Sequence, residues 1–415
     1  MEQILENIYA VHNEFTPIPF WFWNDRLDWD ELKRQMLDFK EKGVDGFVIH
    51  ARIGLPDNFT YLSDEFMGYV EFAVDEAEKL NMHVILYDEG MYPSGSAHGM
   101  VVKLNPSYAS IGLKAVKVDG QLHLAEENGE KILQLVSAEV SAGVLKDLKI
   151  VNEEQMISSK ENGREVFALV QTFSKGTIRG IHYGEDDGEA AAPPSADLLN
   201  PDAVDCFIKI TYDRYYEVVG KHFGKTVLAM FTDEPCILGR EPLEGLIGWT
   251  DGFLEDYLAV GGKEEELIGL FYSIGERTEG AKKLYQKAIF QRMSQVYYKK
   301  LSDWCANHKI SLIGHPEKSN DIGYLKYFQI PGQDIVWRNV APEEEKSITS
   351  PDSVMAKCAS DTARHTGSFR NANECFGCCG RNHDHWSFSF EDMMWYLNWL
   401  FVRGTNMIIR IIATK

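Results

Sequence analysis

The sequence has no excess of basic residues. Lys and Arg number 42 against 63 Asp and Glu, a net charge of −21, which repels phosphate backbones and anionic membrane surfaces at long range. Neither nucleic acid nor a membrane is an expected partner. No run approaches the roughly 20 apolar residues of a membrane-spanning helix. The opening MEQILENIYAVHNEF lacks the basic start and apolar stretch of a signal peptide, so a cytoplasmic protein is expected. Cysteine is sparse and odd in number: seven residues, at 206, 236, 305 and 358 and in a cluster at 375, 378 and 379, which reads as reduced thiols and not as a disulfide framework. A phosphate-cradling loop is also missing. GMYPSGSAHG (90–99) carries glycines but neither the Walker spacing nor the dinucleotide fingerprint, so no organic cofactor is expected.

What is present is the composition of a globular chain, 415 residues with 44% hydrophobic and 12% aromatic, enough to bury a core. Short apolar strands alternate with helical patterns, the sign of parallel βα units. IPFWFWN (18–24), VDGFVIHAR (44–52) and MHVILYDEG (82–90) read as strands. Between them lie helices at 28–43, opening on Asp28, and at 63–81, with Ser63 as N-cap. From 111 to 183 the rhythm changes to short segments between Gly and Asn turns, read as antiparallel β-structure. GEDDGEAAAPPSAD (184–197) reads as a flexible loop. The βα pattern resumes with a helix at 201–224 and a strand at 226–235. A helical excursion at about 240–308 follows, then strands at 310–318, 334–340, 368–377 and 405–415. Eight strands with helices between them give an α/β chain, a (β/α)8 TIM barrel with an inserted β-rich subdomain after strand 3. The expected division is 1–110, first part of the barrel; 111–185, the insert; and 186–415, the remainder.

In such a barrel all strand C-termini open onto one face, where function resides. The expected strand ends deliver Trp21, Trp23 and Asn24; His50 and Arg52; Asp88 and Glu89; Asp233 and Glu234; His315 and Glu317; Trp337 and Arg338; Asn373 and Glu374. Carboxylates and indoles around one cleft suit a carbohydrate: acids work on the glycosidic bond, polar groups bind hydroxyls, and aromatic faces stack on sugar rings. Each residue also has a structural explanation. The DEP triplet at 233–235 could cap a following segment, Trp21 and Trp23 could be core, and His50 and Arg52 could pair with Asp88. In CFGCCGRNHDH (375–385), Cys375, Cys378, His383 and His385 have spacings open to zinc. A structural zinc site brings two separated ligand pairs, though, and here all four share one loop, so a loop of reduced thiols beside the mouth is the favoured reading.

PFWFWND, QMLDFKEKGVDGFVIHARIGLP, YLSDEF, LYDEGMYPSGSAHG, FTDEP and NECFG occur in this order. Together they resemble the catalytic barrel of glycoside hydrolase family 106, the α-L-rhamnosidases, over about residues 17–405. The resemblance implies Glu234 as general acid and Glu374 as general base in an inverting hydrolysis, assisted by a calcium ion near the sugar hydroxyls. It also implies Asp88 and Glu89 as ligands of hydroxyls or of the cation. Trp23, His50, Arg52, Asp233, His315, Trp337 and Arg338 complete the expected substrate-binding set. Carboxyl groups about 6.5–9.5 Å apart belong to inversion, and about 5 Å to retention. Two other readings stay open: a retaining barrel glycosidase on another sugar such as a β-galactoside, and a catalytically inactive sugar-binding remnant. The sequence leaves the oligomeric state open.

Overall fold

The computed structural model describes residues 15–411 except 121–122, 378–379, 382–383 and 385–386. The strands, in chain order, are β1 (Ile18–Trp23), β2 (Gly46–Ala51), β3 (His83–Tyr87), β4 (Ile111–Lys117), β5 (Lys131–Ser141), β6 (Val144–Val151), β7 (Glu165–Phe173), β8 (Val227–Asp233), β9 (Ile247–Trp249), β10 (Ser311–His315), β11 (Ile330–Asp334), β12 (Ala372–Cys375) and β13 (Met407–Ile411). Eight of them close into a barrel in the order β1-β13-β12-β11-β10-β8-β3-β2, each pair parallel. This is a TIM-type architecture. A separate antiparallel sheet, β6-β5-β7-β4-β9, stands beside it.

The helices form where caps and apolar spacing predict. Asp28 accepts from the N–H groups of Asp30 and Glu31 and starts the helix Trp29–Glu41, which buries Leu32 and Met36. Ser63 accepts from Phe66 N–H and starts Asp64–Lys79, whose buried face runs from Phe66 through Val70 and Ala73 to Ala77. The helix expected at 201–224 is instead two, Pro201–Ile210 and Tyr212–Val219. At the break the Thr211 hydroxyl donates to the Phe207 carbonyl at 2.7 Å, a back-bond that bends helices. Among the described residues no helix is long and apolar enough to cross a membrane.

Two expectations change. The sixth barrel strand is IPGQD, Ile330–Asp334, and not 334–340. Trp337–Val340 forms a helical turn, and its bulky side chains make that stretch look like a strand when read linearly. The antiparallel sheet also draws β9 from beyond β8: Ile111↔Trp249 and Leu113↔Ile247 pair antiparallel. The sheet is therefore not confined to 111–185.

The barrel interior is aromatic. Phe20 meets Phe231 at 5.2 Å edge to face and Tyr87 lies 5.7 Å from Phe231. All three are buried, each contributing about 1.5–3 kcal/mol by burial. Outward-facing side chains such as Trp21, Phe47, Leu86 and Met230 pack under the helices.

Glycine permits one close approach. Gly314 in β10 has φ +123, and a Cβ there would lie 1.9 Å from the Thr232 carbonyl oxygen of β8. Gly314→Ala is therefore expected to lower stability by at least about 2 kcal/mol. Denaturant unfolding checks this, and an unchanged midpoint would show that β8 and β10 can separate without cost.

Candidate active site

Strand register decides which side chains reach the mouth, because alternate residues face opposite sides. Parallel partners share a face: Phe20 pairs with Val48 and Phe22 with His50, Phe231 with Ile313 and Asp233 with His315, and Asp334 with Glu374. Phe20, Val48, Phe231 and Ile313 belong to the barrel's inner core. The next inward layer is thus Phe22, His50, Asp233, His315, Asp334 and Glu374. At this end of the barrel lies a cavity of about 190 Å³ whose lining includes Phe22, His50, Arg52, Asp233, Glu234, Asp334 and Glu374.

The same parity removes other expected residues. Trp23 faces outward and is core, edge to face with Trp21 at 5.6 Å and with Phe66 at 5.7 Å. Trp337 is buried too, with its Nε1–H donating to Glu343 at 2.9 Å and its ring against Phe388 and Trp395. Neither indole faces the cavity. The Arg338 side chain, and Cys378, Cys379, His383 and His385 of the proposed thiol or zinc loop, lie outside the described residues. Cys206, Cys236, Cys305 and Cys358 are thiols.

Asp88 and Glu89 are scaffolding and do not line the cavity. Asp88 is buried and accepts from Ser94 Oγ at 2.6 Å and from Tyr212 OH at 2.7 Å. Burial pushes its carboxyl up to about 8 despite those donors. The Glu89 carboxylate collects the backbone N–H groups of Gly90, Gly95, Ser96, Ala97 and His98. Its acceptor positions are filled by the loop that follows it. Burial raises its pKa while these donors resist.

Acids crowd together at one wall of the cavity, with His315 buried behind Asp233 and Glu374. His315 Nε2 lies 3.1 Å from Glu374 Oε2 and 3.5 Å from Asp233 Oδ1, and Tyr87 OH donates to Asp233 Oδ2 at 2.6 Å. Glu234 follows directly, in a left-handed conformation with φ +42, a strained state for a non-glycine residue and one that clusters at functional sites. Burial first, then the Asp233 charge, pushes Glu234 up to about 7. Burial, Asp233 and Glu234 push Glu374 well above the carboxylate range, with Arg52 opposing. Close carboxylates cannot all ionise, so a proton is held among them at neutral pH. Burial and the nearby Arg52 keep His50 well below the usual imidazole value, hence neutral. It stacks on Tyr87 at 3.7 Å.

Several cavity residues were not legible in the sequence. Asp334 ends β11, whereas the expected strand at 334–340 puts it at a strand's start and so away from the mouth. Tyr92 and Arg179 also line the cavity, and Arg179 donates to Tyr92 OH at 2.7 Å. Asp187 binds Arg179 at 2.6 Å and both Nε and Nη2 of Arg240 at 2.6 Å. Against burial, the guanidinium groups of Arg240 and Arg179 hold Asp187 below its ordinary pKa. The stretch expected to be a flexible loop is thus fastened to the mouth by a two-arginine clamp. The run of acids at 185–187 was the one visible signal.

Asp233, His315 and Glu374 bring possible ligand atoms within 4.8 Å of one another. An imidazole between two carboxylates does not match calcium, which takes six to eight oxygens. These three donors by themselves do not fit that ion.

No family model matches the sequence, and no curated protein does. Among solved structures, the chain is similar to a rhamnosidase from Novosphingobium sp. PP1Y, with TM-score 0.64 and 12% identity over 98% of this chain and 56% of that one. A chitobiase from Flavobacterium johnsoniae follows at TM-score 0.37 and 10% identity, over 96% and 44% of the two chains. The catalytic domain of a beta-amylase from Paenibacillus polymyxa matches at 0.35 and 11%, over 97% and 93%. At these identities the first likeness is one of fold, and the other two fall too low to carry an argument. The chain spans little more than half the length of the rhamnosidase.

The lifted Asp88 carboxyl has a stability consequence. Its ordinary value is about 3.9, so between there and about 8 the folded protein keeps a proton that the unfolded chain has released. The contribution is full below the lower value and is lost as pH rises towards the upper one. Asp88→Asn, which does not titrate, is expected to narrow the fall in thermal midpoint between pH 5 and pH 8. An unchanged gap would assign that fall to another group.

Proposed function

We propose that the chain is a glycoside hydrolase of the family 106 type that removes a terminal α-L-rhamnosyl unit with inversion. Glu234 protonates the leaving oxygen and Glu374 activates the water. The observation that carries this reading is the pair itself: two carboxyl groups, one after β8 and one on β12, lining a single cavity of about 190 Å³, with Glu234 held at about 7. A general acid works best with a pKa near the working pH. The volume is below the ~300–1,000 Å³ of pockets for drug-sized ligands and suits one sugar ring. The fold likeness to a rhamnosidase supports the same reading.

Two carboxyl groups in different surroundings take different roles. Burial and Asp233 favour the protonated form of both groups, opposed by Arg52 at Glu374 and by His315 and Arg240 at Glu234; in the proposed roles the proton they share rests on Glu234. His315, with Nε2–H towards Glu374, would orient that carboxylate and favour its ionised form. His50, Arg52, Asp233 and His315 remain the proposed hydroxyl-binding groups, joined by Asp334 and Arg179. Phe22, Val336 and Ile411 give the cavity an apolar side that suits the methyl group of a 6-deoxy sugar better than the hydroxymethyl of a galactoside.

With an alkyl α-L-rhamnoside, whose poor leaving group needs the acid, Glu234→Gln and Glu374→Gln are each expected to lower kcat at least about a hundredfold with the fold retained by circular dichroism. Full turnover in either variant would remove that residue from the chemistry. In the parent enzyme kcat/KM should fall as pH rises through about 7, because Glu234 then loses the proton it donates. A rate rising across that range would contradict its role as acid. The anomer first released, read by NMR, separates inversion from retention.

A further inference from the structure

Away from the barrel cavity, a second group of side chains with metal-ligand chemistry converges among the described residues. His98, from the loop after β3, and His182 and Glu185, from the chain that leaves β7, bring possible ligand atoms within 4.8 Å of one another. None of the three lines the cavity of about 190 Å³. All three are half-buried, so an ion from solution can reach them.

The backbone sets each ligand in place. His98 holds a left-handed conformation, φ +53, and its N–H is among those gathered by Glu89, so a buried carboxylate fixes the strained residue that delivers this ring. The chain from Gly180 to Glu185 closes on itself. Gly180 N–H donates to the Glu185 carbonyl at 2.9 Å, and His182 N–H donates to Glu185 Oε2 at 2.9 Å. Gly180 makes room for that carboxylate, since a Cβ there would lie 2.1 Å from Oε2.

The second histidine also presents a free lone pair. His182 Nδ1 lies 3.1 Å from the Leu55 carbonyl oxygen, which only accepts, so in the neutral ring Nδ1 carries the hydrogen and Nε2 keeps its lone pair. Metal-bound histidines are held in this way, by an acceptor behind the ring. His98 Nε2 lies 2.9 Å from Glu185 Oε2. Two ligands about 2.0–2.1 Å from a tetrahedral ion stand about 3.3 Å apart, so an ion taking the place of the hydrogen between them needs that pair to open only slightly.

Two imidazole nitrogens and one carboxylate suit zinc and not calcium, which takes six to eight oxygens. We infer that His98, His182 and Glu185 form a zinc site, with water in the fourth position. Its role is to fasten. The ion joins the loop after β3, which carries Ser94 with its bond to Asp88, to the stretch between Arg179 and Asp187, so zinc and the two-arginine clamp secure the same part of the rim. Zinc binding there does not depend on the hydrolase reading.

The test is zinc binding by the full chain after dialysis against a chelator, read by calorimetry and elemental analysis. At zinc levels just sufficient to saturate the parent, the parent should hold one equivalent more than His182→Ala or Glu185→Gln. The second variant keeps the turn, because its amide oxygen still accepts from His182 N–H, and loses only the anionic ligand; circular dichroism checks that it is folded. Zinc at about a hundredfold excess over its Kd should raise the thermal midpoint of the parent by at least about 3 °C more than that of Glu185→Gln. With cobalt(II), the parent-minus-variant spectrum should show d–d bands and no thiolate charge-transfer band. A parent that binds no zinc, or binding that both variants retain at the parent's affinity, overturns the site and leaves an ordinary His98–Glu185 hydrogen bond. A thiolate band in the difference spectrum, or displacement of this equivalent by calcium, overturns the assignment of its ligands.

Discussion

The mouth of the barrel depends on one hydroxyl. Ser94 Oγ donates to the buried Asp88 and accepts from the backbone N–H of Asp233, while the Ser94 N–H donates to the Asp233 carbonyl at 2.8 Å. These bonds tie the loop after β3 to the last residue of β8, one position before Glu234. Glu234 holds a left-handed backbone conformation, which persists only where the surroundings over-determine it. Asp88, secured in turn by Tyr212, and Glu89, wrapped in backbone N–H groups, supply that constraint. Two adjacent acids at the end of β3 therefore do not line the cavity. They hold the frame on which another acid is presented.

Much of the fold was readable because it is local. Asp28 and Ser63 cap their helices, apolar spacing marks their buried faces, and short strands recur between them. Site membership was harder, since a shift of one residue turns a side chain from the cavity to the helix layer. Trp23 and Asp88 fall on the wrong side of that alternation, while His50, Asp233, His315 and Glu374 fall on the right one. Trp337 was misplaced by a strand boundary: IPGQD carries little apolar signal, and the bulkier residues after it drew the strand too far along the chain. Arg179 and Tyr92 meet only through long-range folding, and no spacing in the sequence brings them together.

Electrostatics at the mouth reflect the chain's acidic character. Carboxylates from β8, β11 and β12 gather in one small space, and burial keeps water from screening them. Arg52, stacked over Phe22 at 4.4 Å, and Arg179, over Tyr92 at 4.9 Å, supply positive charge without neutralising the acids by direct pairing. The acids thus remain able to exchange protons.

The arginine clamp also changes the standing of the antiparallel sheet. Arg179 lies just past the end of β7 and Arg240 just ahead of β9, and both close on Asp187 above Tyr92. The threads that enter and leave this side structure are stitched to the rim of the barrel. A barrel grafted without its companion sheet would arrive with that rim unfastened, so insertions and deletions in the sheet become a means of reshaping which molecules gain entry.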